Sequence, residues 1–182
     1  MEQCRALFYC FIALEELYSG HGWSVLLEEA VLPDGRTKRT PRVHRCDCVN
    51  IVAFSDPLNV LLLREYRPFY GEYIWMLPSG HVDKETDVTV AAQRELREET
   101  GFRARNLRLY CVTRQSEAIA FANHIFIASD LTKDPLKQDA DEMIEVHKMP
   151  LEEAIQKVLE SPVIHTSSAF ALLRVQRDKI TG

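Results

Sequence analysis

Residues 80–102, with the sequence GHVDKETDVTVAAQRELREETGF, constrain the fold more than any other part of the chain. Glu95, Glu98 and Glu99 are spaced i, i+3 and i+4, so on a helix they share one face. Like charges at this spacing repel one another by a few tenths of a kcal/mol per pair on an isolated helix. The segment therefore predicts a helix whose acidic face is neutralised by a cation. A hard divalent ion such as Mg²⁺ suits carboxylate ligands.

A solvated acidic helix face is the alternative explanation for three glutamates at this spacing. The flanking residues favour a functional site. Arg94 precedes the acids, Gly101 follows them as a glycine ending a helix would, and Phe102 supplies an apolar anchor. These boundaries predict a helix over residues 87–100.

The rest of the chain alternates strands and turns before two final helices. Pro33, Asp34 and Gly35 form a turn between two strands, which predicts a hairpin. Strands on both sides of the acidic helix, with helices at the end, indicate an α/β fold with a mixed sheet between helices. The predicted strands cover residues 23–31, 38–43, 48–54, 59–65, 107–113, 124–128 and 144–148, and the final helices cover residues 151–160 and 167–178.

Length and composition indicate a soluble globular protein. A chain of 182 residues with 46% apolar and 27% charged residues suits one domain and a small extension. The net charge of -5 argues against a nucleic-acid-binding surface. It leaves a nucleotide substrate open, because a metal ion supplies positive charge locally.

The N-terminal segment predicts no membrane span. Residues 7–14 are apolar but too few to cross a bilayer, and Glu15 and Glu16 follow directly. A signal peptide is not favoured, since no small-residue cleavage site follows. We expect residues 1–20 to form a helix or a loosely attached leader.

Five cysteines occur without a recognisable zinc spacing, which indicates buried thiols in a reducing cytoplasm. Two of them, Cys46 and Cys48, would share one face of a strand. The five are Cys4, Cys10, Cys46, Cys48 and Cys111.

Eight residues stand in the register of the Nudix box, G-x5-E-x7-R-E-U-x-E-E-x-G-U, where U is a bulky apolar residue. The chain therefore resembles the Nudix hydrolases. In the family the first motif glutamate braces the loop and helix, often through the motif arginine. Here that position is Thr86 and Glu85 comes one residue early, so Glu85 could reach Arg94 while Thr86 or Asp87 caps the helix. The eight matching residues are Gly80, Arg94, Glu95, Leu96, Glu98, Glu99, Gly101 and Phe102.

Further segments resemble the ADP-ribose pyrophosphatase branch of this superfamily. They cover residues 31–36, 61–68 and 141–154, and the resemblance spans residues 23–175. It implies a Nudix-type α/β/α sandwich with a mixed β-sheet and an N-terminal antiparallel β extension. Residues 1–45 would be the leader and β-hairpin extension, and residues 46–182 the Nudix hydrolase domain.

The resemblance also implies a metal site on the acidic helix. Glu95 and Glu99 would be direct ligands of Mg²⁺, or of Mn²⁺, and the carbonyl of Ser79 a backbone ligand. Glu98 would bridge metals or hold a metal-bound water. Arg94 would pair with carboxylates and position the loop, since a guanidinium cannot act as a general base.

A further acid is expected after the box, where Asp139, Asp141 and Glu142 lie close together. Glu142 best matches the family's acidic position, where it would bind a further metal or activate water. Solvated loop acids are the alternative. His124 and His147 are other candidate bases, although each lies in a strand-like run typical of packed histidines.

Arg67 resembles the family arginine that grips substrate phosphates, and a guanidinium fork suits that geometry. A salt bridge to Glu65 or Glu72 is the alternative. Aromatic rings that could stack against a base also occur, with a core role as their alternative. They are Tyr66, Trp75 and Trp23.

The implied function is Mg²⁺-dependent hydrolysis of the pyrophosphate bond of a nucleoside diphosphate sugar, with ADP-ribose cleaved to AMP and ribose 5-phosphate. GDP-mannose or UDP-glucose are alternative substrates. A nucleotide-sensing Nudix-like domain that does not cleave is a different class, which the intact glutamates disfavour and Thr86 keeps open. We expect a cytoplasmic homodimer, with N-terminal strands exchanged around the adenosine pocket and no nucleic-acid or membrane partner.

Overall fold

The computed structural model describes residues 11–138 and 142–182, which form eleven strands and three helices. No helix within these ranges is long and apolar enough to cross a membrane. The elements are β1 (Phe11–Gly20), β2 (Trp23–Val31), β3 (Thr37–His44), β4 (Cys48–Ala53), β5 (Asn59–Arg67), β6 (Glu72–Met76), β7 (Ser79–His81), α1 (Val88–Thr100), β8 (Phe102–Thr113), β9 (Ile119–Ala120), β10 (Asn123–Lys133), β11 (Ile144–Pro150), α2 (Leu151–Leu159) and α3 (Thr166–Arg177).

The described residues divide into two compact units. Residues 11–46 and Arg114–Phe121 form the N-terminal unit, and the central unit comprises the described parts of Asp47–Thr113 and Ala122–Gly182. The N-terminal unit is one sheet in the order β1-β2-β3-β9, with β9 parallel to β3 and the other pairs antiparallel. The predicted hairpin is confirmed, because β2 has the expected bounds and β3 extends the expected strand by one residue at each end.

The expectation of a helix or loose leader over residues 1–20 is wrong for β1, which is a strand paired with β2 from end to end. Pairing with a neighbouring strand satisfies the backbone groups of β1, so the tertiary context outweighs the local apolar run. Residues 1–10 lie outside the described residues.

A buried carboxylate ties β2 to β3 inside the N-terminal unit. Glu28 is 2% exposed, and its two oxygens each lie 2.7 Å from a partner, Arg42 Nη1 and His44 Nε2. Both partners lie on β3, two and four residues after Thr40, which faces Glu28 across the pair. Shifting the register by one residue would turn Glu28 to the opposite face and break both contacts, so this buried ion pair favours a single alignment of the hairpin.

The central unit contains two sheets, one mixed in the order β7-β4-β10-β8 and one antiparallel in the order β11-β5-β6. Strand β4 and residues 123–128 of β10 run parallel and are buried on both faces, which suits the apolar run that each contains. Ile51 and Phe126 pack with Leu96 of α1, whereas Val52 and Ile127 pack with residues of α2 and α3. The predicted α/β/α sandwich with a mixed sheet is therefore confirmed.

Helix α1 begins and ends where the sequence predicts. Asp87 is the N-cap and its Oδ1 accepts from the Thr89 amide at 2.7 Å. Gly101 is left-handed (φ 76°) and its amide donates to the Arg97 carbonyl at 3.1 Å. A glycine adopts this conformation without the steric cost that a side chain would bring.

The prediction that Cys46 and Cys48 share one face of a strand is wrong, because β4 begins at Cys48 and Cys46 lies before it. The two thiols and Cys111 are half-buried rather than buried. Cys4 and Cys10 lie outside the described residues.

Serine hydroxyls cover the outer edge of β6 and the residue that follows it. The Trp75 amide donates to Ser161 Oγ at 3.1 Å, and the Leu77 amide donates to Ser168 Oγ at 2.9 Å. Ser168 Oγ also lies 2.7 Å from His165 Nδ1. Because the hydroxyl accepts from Leu77, its single proton is available to His165, which favours the neutral imidazole with its proton on Nε2.

This arrangement predicts an acid-sensitive fold. Burial, together with the charge of Arg67, lowers the pKa of His165 from 6.5 to about 4. The folded state therefore disfavours the imidazolium, so the stability that this group contributes is present above pH 6.5 and is lost as the pH falls toward 4. The free energy of unfolding, measured with denaturant between pH 7.5 and 4.5, should fall less steeply for His165→Gln than for the wild-type protein. Equal slopes would contradict the assignment.

Candidate active site

Two acids of α1 lie on its buried face, directly beneath β7. Glu95 is 9% exposed and Glu99 is 5% exposed. The Ser79 amide donates to Glu99 Oε2 at 2.8 Å, and a Cβ atom at Gly80 would overlap the Glu95 carboxyl group. Glycine at residue 80 is therefore required by space, because only it lets the strand pass this close to the acid.

Arg94 connects the remaining acids. Its Nε donates to Glu85 Oε1 at 2.7 Å, and its Nη1 donates to Glu95 Oε1 at 2.8 Å and to Glu98 Oε2 at 2.7 Å. Its Nη2 donates to the carbonyl of His81 at 3.1 Å. A single guanidinium thus joins the loop after β7 to the acidic face of α1, as the sequence predicts.

The displaced glutamate of the motif still reaches the arginine. Glu85 contacts Arg94 through both carboxylate oxygens, at 2.7 and 3.3 Å. Thr86 is exposed, and Asp87 rather than Thr86 caps the helix. The loop accommodates the shift by one residue, so the bracing contact is kept in a different register.

The buried acids resist ionisation. Burial, with Glu95 as the next cause, holds the pKa of Glu99 well above its usual range. Burial also raises the pKa of Glu95 to about 7, although Arg94 acts in the opposite direction. Burial, opposed by Arg67 and reinforced by Glu142, raises the pKa of Glu65. Adding positive charge at this place would favour the ionised carboxylates.

Glu142 lies at the acidic cluster. It is half-buried, and its charge contributes to the raised pKa of Glu65, Glu95 and Glu99. Asp139 and Asp141 lie outside the described residues.

The two histidines suggested as alternative bases have other partners. His124 Nε2 lies 2.8 Å from Asp47 Oδ2. His147 packs against the ring of Trp75, with ring centroids 4.9 Å apart, and its Nε2 lies 3.3 Å from Glu145 Oε2. These contacts favour the packing alternative for both residues.

The carboxylates of α1 suit a hard cation, although each of them contacts a protein group in this structure. Among the described residues, no three His, Cys, Asp or Glu side chains are arranged to hold a metal ion. Glu95 and Glu98 face Arg94, and Glu99 faces the amide of Ser79. Buried carboxylate oxygens are nevertheless the ligands that Mg²⁺ and Mn²⁺ take, and their raised pKa values mark a place where positive charge is favoured.

Arg67 has the ion pair that the sequence offered as an alternative. Its Nη2 lies 2.9 Å from Glu65 Oε2 and 3.2 Å from the sulfur of Met76. Glu72, the residue that faces Arg67 across the strand pair, is exposed. Sequence reasoning gave Glu65 no part in the site. The available signal was a charged residue within an apolar strand, two positions before Arg67 and hence on the same face.

The aromatic candidates lie in three different environments. Tyr66 packs against Tyr73, with ring centroids 5.2 Å apart. Trp75 packs against the larger hydrophobic core, with Lys157 Nζ 5.6 Å from its ring, which favours the core role. Trp23 belongs to the N-terminal unit, where it is 43% exposed with the Arg45 guanidinium 4.8 Å from its ring.

Comparison with known proteins agrees with this geometry. The NUDIX domain pattern matches residues 44–167, more than half of the chain. The chain belongs to the NUDIX family. With its acidic helix, the chain is a Nudix pyrophosphohydrolase enzyme.

Relatives of the Nudix domain align over most of their length. An ADP-ribose pyrophosphatase of Bacillus subtilis is 28% identical over 170 residues, which is 91% of each chain. A CMP-5'-(N-acetyl-N-hydroxy-3-aminopropyl)phosphonate hydrolase of Streptomyces rubellomurinus is 31% identical over 156 residues, 84% of this chain and 74% of the relative. The crystal structure of an ADP compounds hydrolase matches with a TM-score of 0.75 at 24% identity, over 93% of this chain and 92% of that one, and shows the same fold.

The brace at Arg94 predicts different roles for two adjacent residues. Glu85→Ala removes both carboxylate contacts from a largely buried guanidinium, so it should lower the free energy of unfolding by about 1–3 kcal/mol and reduce hydrolytic activity. Thr86→Ala, at an exposed side chain, should change stability by no more than about 0.5 kcal/mol. Urea denaturation of both variants measures the difference. A larger loss in Thr86→Ala would contradict the brace.

Proposed function

We propose that this Nudix enzyme hydrolyses the pyrophosphate bond of a nucleoside diphosphate sugar in a Mg²⁺-dependent reaction, with ADP-ribose cleaved to AMP and ribose 5-phosphate. The observation that carries the proposal is the set of buried carboxylates on α1, whose raised pKa values call for a cation. The name of the similar Bacillus subtilis protein, an ADP-ribose pyrophosphatase, supports a substrate containing ADP.

Five residues would hold the metal in this proposal. Bound Mg²⁺, or Mn²⁺, would neutralise the crowded phosphate oxygens and provide an activated water. Glu95, Glu98 and Glu99 would present their carboxylates from one helix face. Glu142 would add a carboxylate from the loop before β11, and the Ser79 carbonyl would be the fifth ligand. Glu98, Glu99 and Glu142 are also the groups proposed to orient and deprotonate the attacking water.

Arg94 and Arg67 would have different tasks. Arg94 is enclosed by acids and holds the loop after β7 against α1, so its contribution is to keep the carboxylates in place. Arg67 is 39% exposed along its side chain and would bind the diphosphate through its guanidinium fork. Tyr66 remains a proposed substrate contact, with base stacking as its proposed role, whereas the packing of Trp75 favours the core alternative.

Substitution of Glu99 tests the acidic site. Glu99→Gln keeps the shape of the side chain but cannot ionise to bind a cation, so kcat for ADP-ribose with Mg²⁺ should fall by about 10²-fold or more, in line with the loss of a principal electrostatic group. Circular dichroism should show an intact fold. The matched control is Glu152→Gln on the exposed side of α2, which should keep wild-type kcat. Near-normal activity of Glu99→Gln would exclude the ligand role.

A substrate panel separates the alternatives. The protein is incubated with Mg²⁺ and ADP-ribose, GDP-mannose, UDP-glucose, dinucleoside polyphosphates or nucleoside triphosphates, and products are identified by mass spectrometry. Preferred turnover of GDP-mannose or UDP-glucose would move the assignment to another nucleoside diphosphate sugar. Binding without turnover would support a nucleotide sensor. Turnover of nucleoside triphosphates alone would overturn the proposal.

We also propose a cytoplasmic homodimer, formed through the N-terminal strands. Apolar side chains of β1 are exposed on the single chain, at 64% for Ile12, 43% for Leu14, 49% for Leu17 and 51% for Tyr18. Covering them with a second copy would remove apolar surface from water.

Sedimentation equilibrium tests the dimer. The wild-type protein should have twice the 20.9 kDa mass of the chain. Leu14→Asp combined with Leu17→Asp should reduce the mass to that of a monomer, because charges would be buried in the interface. Leu58→Asp, at a 72% exposed residue of the central unit, is the control and should stay dimeric. A monomeric wild-type protein would refute the proposal.

A further inference from the structure

Glu65 is a buried carboxylate on the face of β5 that leads toward the acidic cluster. Side chains alternate along a strand, so Leu63, Glu65 and Arg67 point to the same side. Leu63 belongs to a small apolar cluster with Ile74 and Met76 of the neighbouring strand β6. Glu65 is 4% exposed, whereas the Arg67 side chain is 39% exposed, so the strand face passes from apolar core to solvent through this pair.

The two side chains meet at the buried end, as an ion pair. Arg67 Nη2 lies 2.9 Å from Glu65 Oε2 and donates to Met76 Sδ at 3.2 Å. One terminal nitrogen of the guanidinium is thus occupied by side chains of β5 and β6. Because Glu65 is almost fully buried, breaking this contact should cost more than breaking an exposed salt bridge.

The neighbouring charges explain why the arginine requires a fixed partner. The charge of Glu142 acts on Glu65, and the charges of Glu65 and Glu142 both act on Glu99. An arginine released from Glu65 would therefore be attracted by the other carboxylates of the cluster. It would then occupy space among those acids instead of facing solvent.

We propose that Glu65 is a positioning residue that holds the Arg67 guanidinium at the edge of the site, available to substrate phosphates and away from Glu99 and Glu142. The inference rests on the proposed function, in which Arg67 binds the diphosphate. Glu65 itself does not touch the substrate. It acts through the orientation of Arg67.

Steady-state kinetics with ADP-ribose and Mg²⁺ measure the functional effect. Glu65→Ala should raise KM by about tenfold, which corresponds to about 1.4 kcal/mol, and change kcat by less than about twofold. Arg67→Ala should raise KM at least as much, and the double variant should show no increase beyond Arg67→Ala. Glu65→Gln keeps the side-chain shape and a partly negative oxygen opposite Arg67 but loses the ionic charge, so its KM should lie between those of wild type and Glu65→Ala.

The control is Glu72→Ala. Glu72 faces Arg67 across the β5–β6 pair and is exposed, so its removal makes the same charge change beside the arginine without disturbing the buried contact. It should leave KM within about twofold of wild type. If Glu65→Ala fails to fold, Glu65→Gln provides the same test. It should raise KM by a smaller factor in the wild-type background and should not raise KM further when it is combined with Arg67→Ala.

A readout independent of turnover separates this inference from the proposed function. In ¹⁵N-labelled protein, the Nη–H signals of Arg67, assigned by their loss in Arg67→Ala, should exchange with solvent faster in Glu65→Ala than in wild type or Glu72→Ala, because Nη2 loses its contact with Glu65. Faster exchange with no turnover of any nucleoside diphosphate sugar would uphold the contact and reject the proposed function. Unchanged exchange and unchanged KM in Glu65→Ala would overturn the inference, as would an equal KM increase with and without Arg67.

Discussion

The guanidinium of Arg94 is the interaction on which the rest of the site depends. Four carboxylates lie within 4.0 Å of it, from Asp83, Glu85, Glu95 and Glu98. Two of these come from the loop after β7 and two from α1. Without a cation at this point, the loop and the helix would present like charges to each other across a poorly solvated gap. The arginine converts that repulsion into the contact that joins them.

Glu95 and Glu99 carry a second constraint, because they lie on the same buried helix face as Leu96. Burial of ionised carboxylates costs several kcal/mol each unless they are compensated. The helix nevertheless retains them, and its apolar residues pack against the mixed sheet to hold the backbone in place. The stability of the sandwich therefore supports an arrangement of acids that would be unfavourable by itself. Such placement is typical of functional groups rather than of groups that stabilise a fold.

Much of this could be predicted from sequence because the signals are local. The turn at Gly35, the cap at Asp87 and the glycine after α1 each specify an element boundary through their own backbone chemistry. The role of Glu85 was open from sequence alone, since a displacement of one residue in a loop depends on how the loop bends. Strand β1 could not be predicted, because its pairing with β2 is a tertiary contact. The ion pair of Glu65 with Arg67 was one of the sequence alternatives, but the burial of Glu65 could not be predicted, because it depends on the neighbouring strand β6.

The serine contacts along β6 have a consequence for the behaviour of the protein at high concentration. An edge strand with unpaired backbone groups is a template on which a strand of another molecule can assemble. Ser161 and Ser168 occupy the outward amides of Trp75 and Leu77, so an incoming strand finds these donors already used. The mixed sheet ends in the long strand β8, where the charged side chains of Arg103, Arg105 and Arg108 are exposed, and charged side chains on an edge strand disfavour pairing with another chain. Hydroxyl groups on one edge and charged side chains on another thus discourage aggregation by two unrelated physical means.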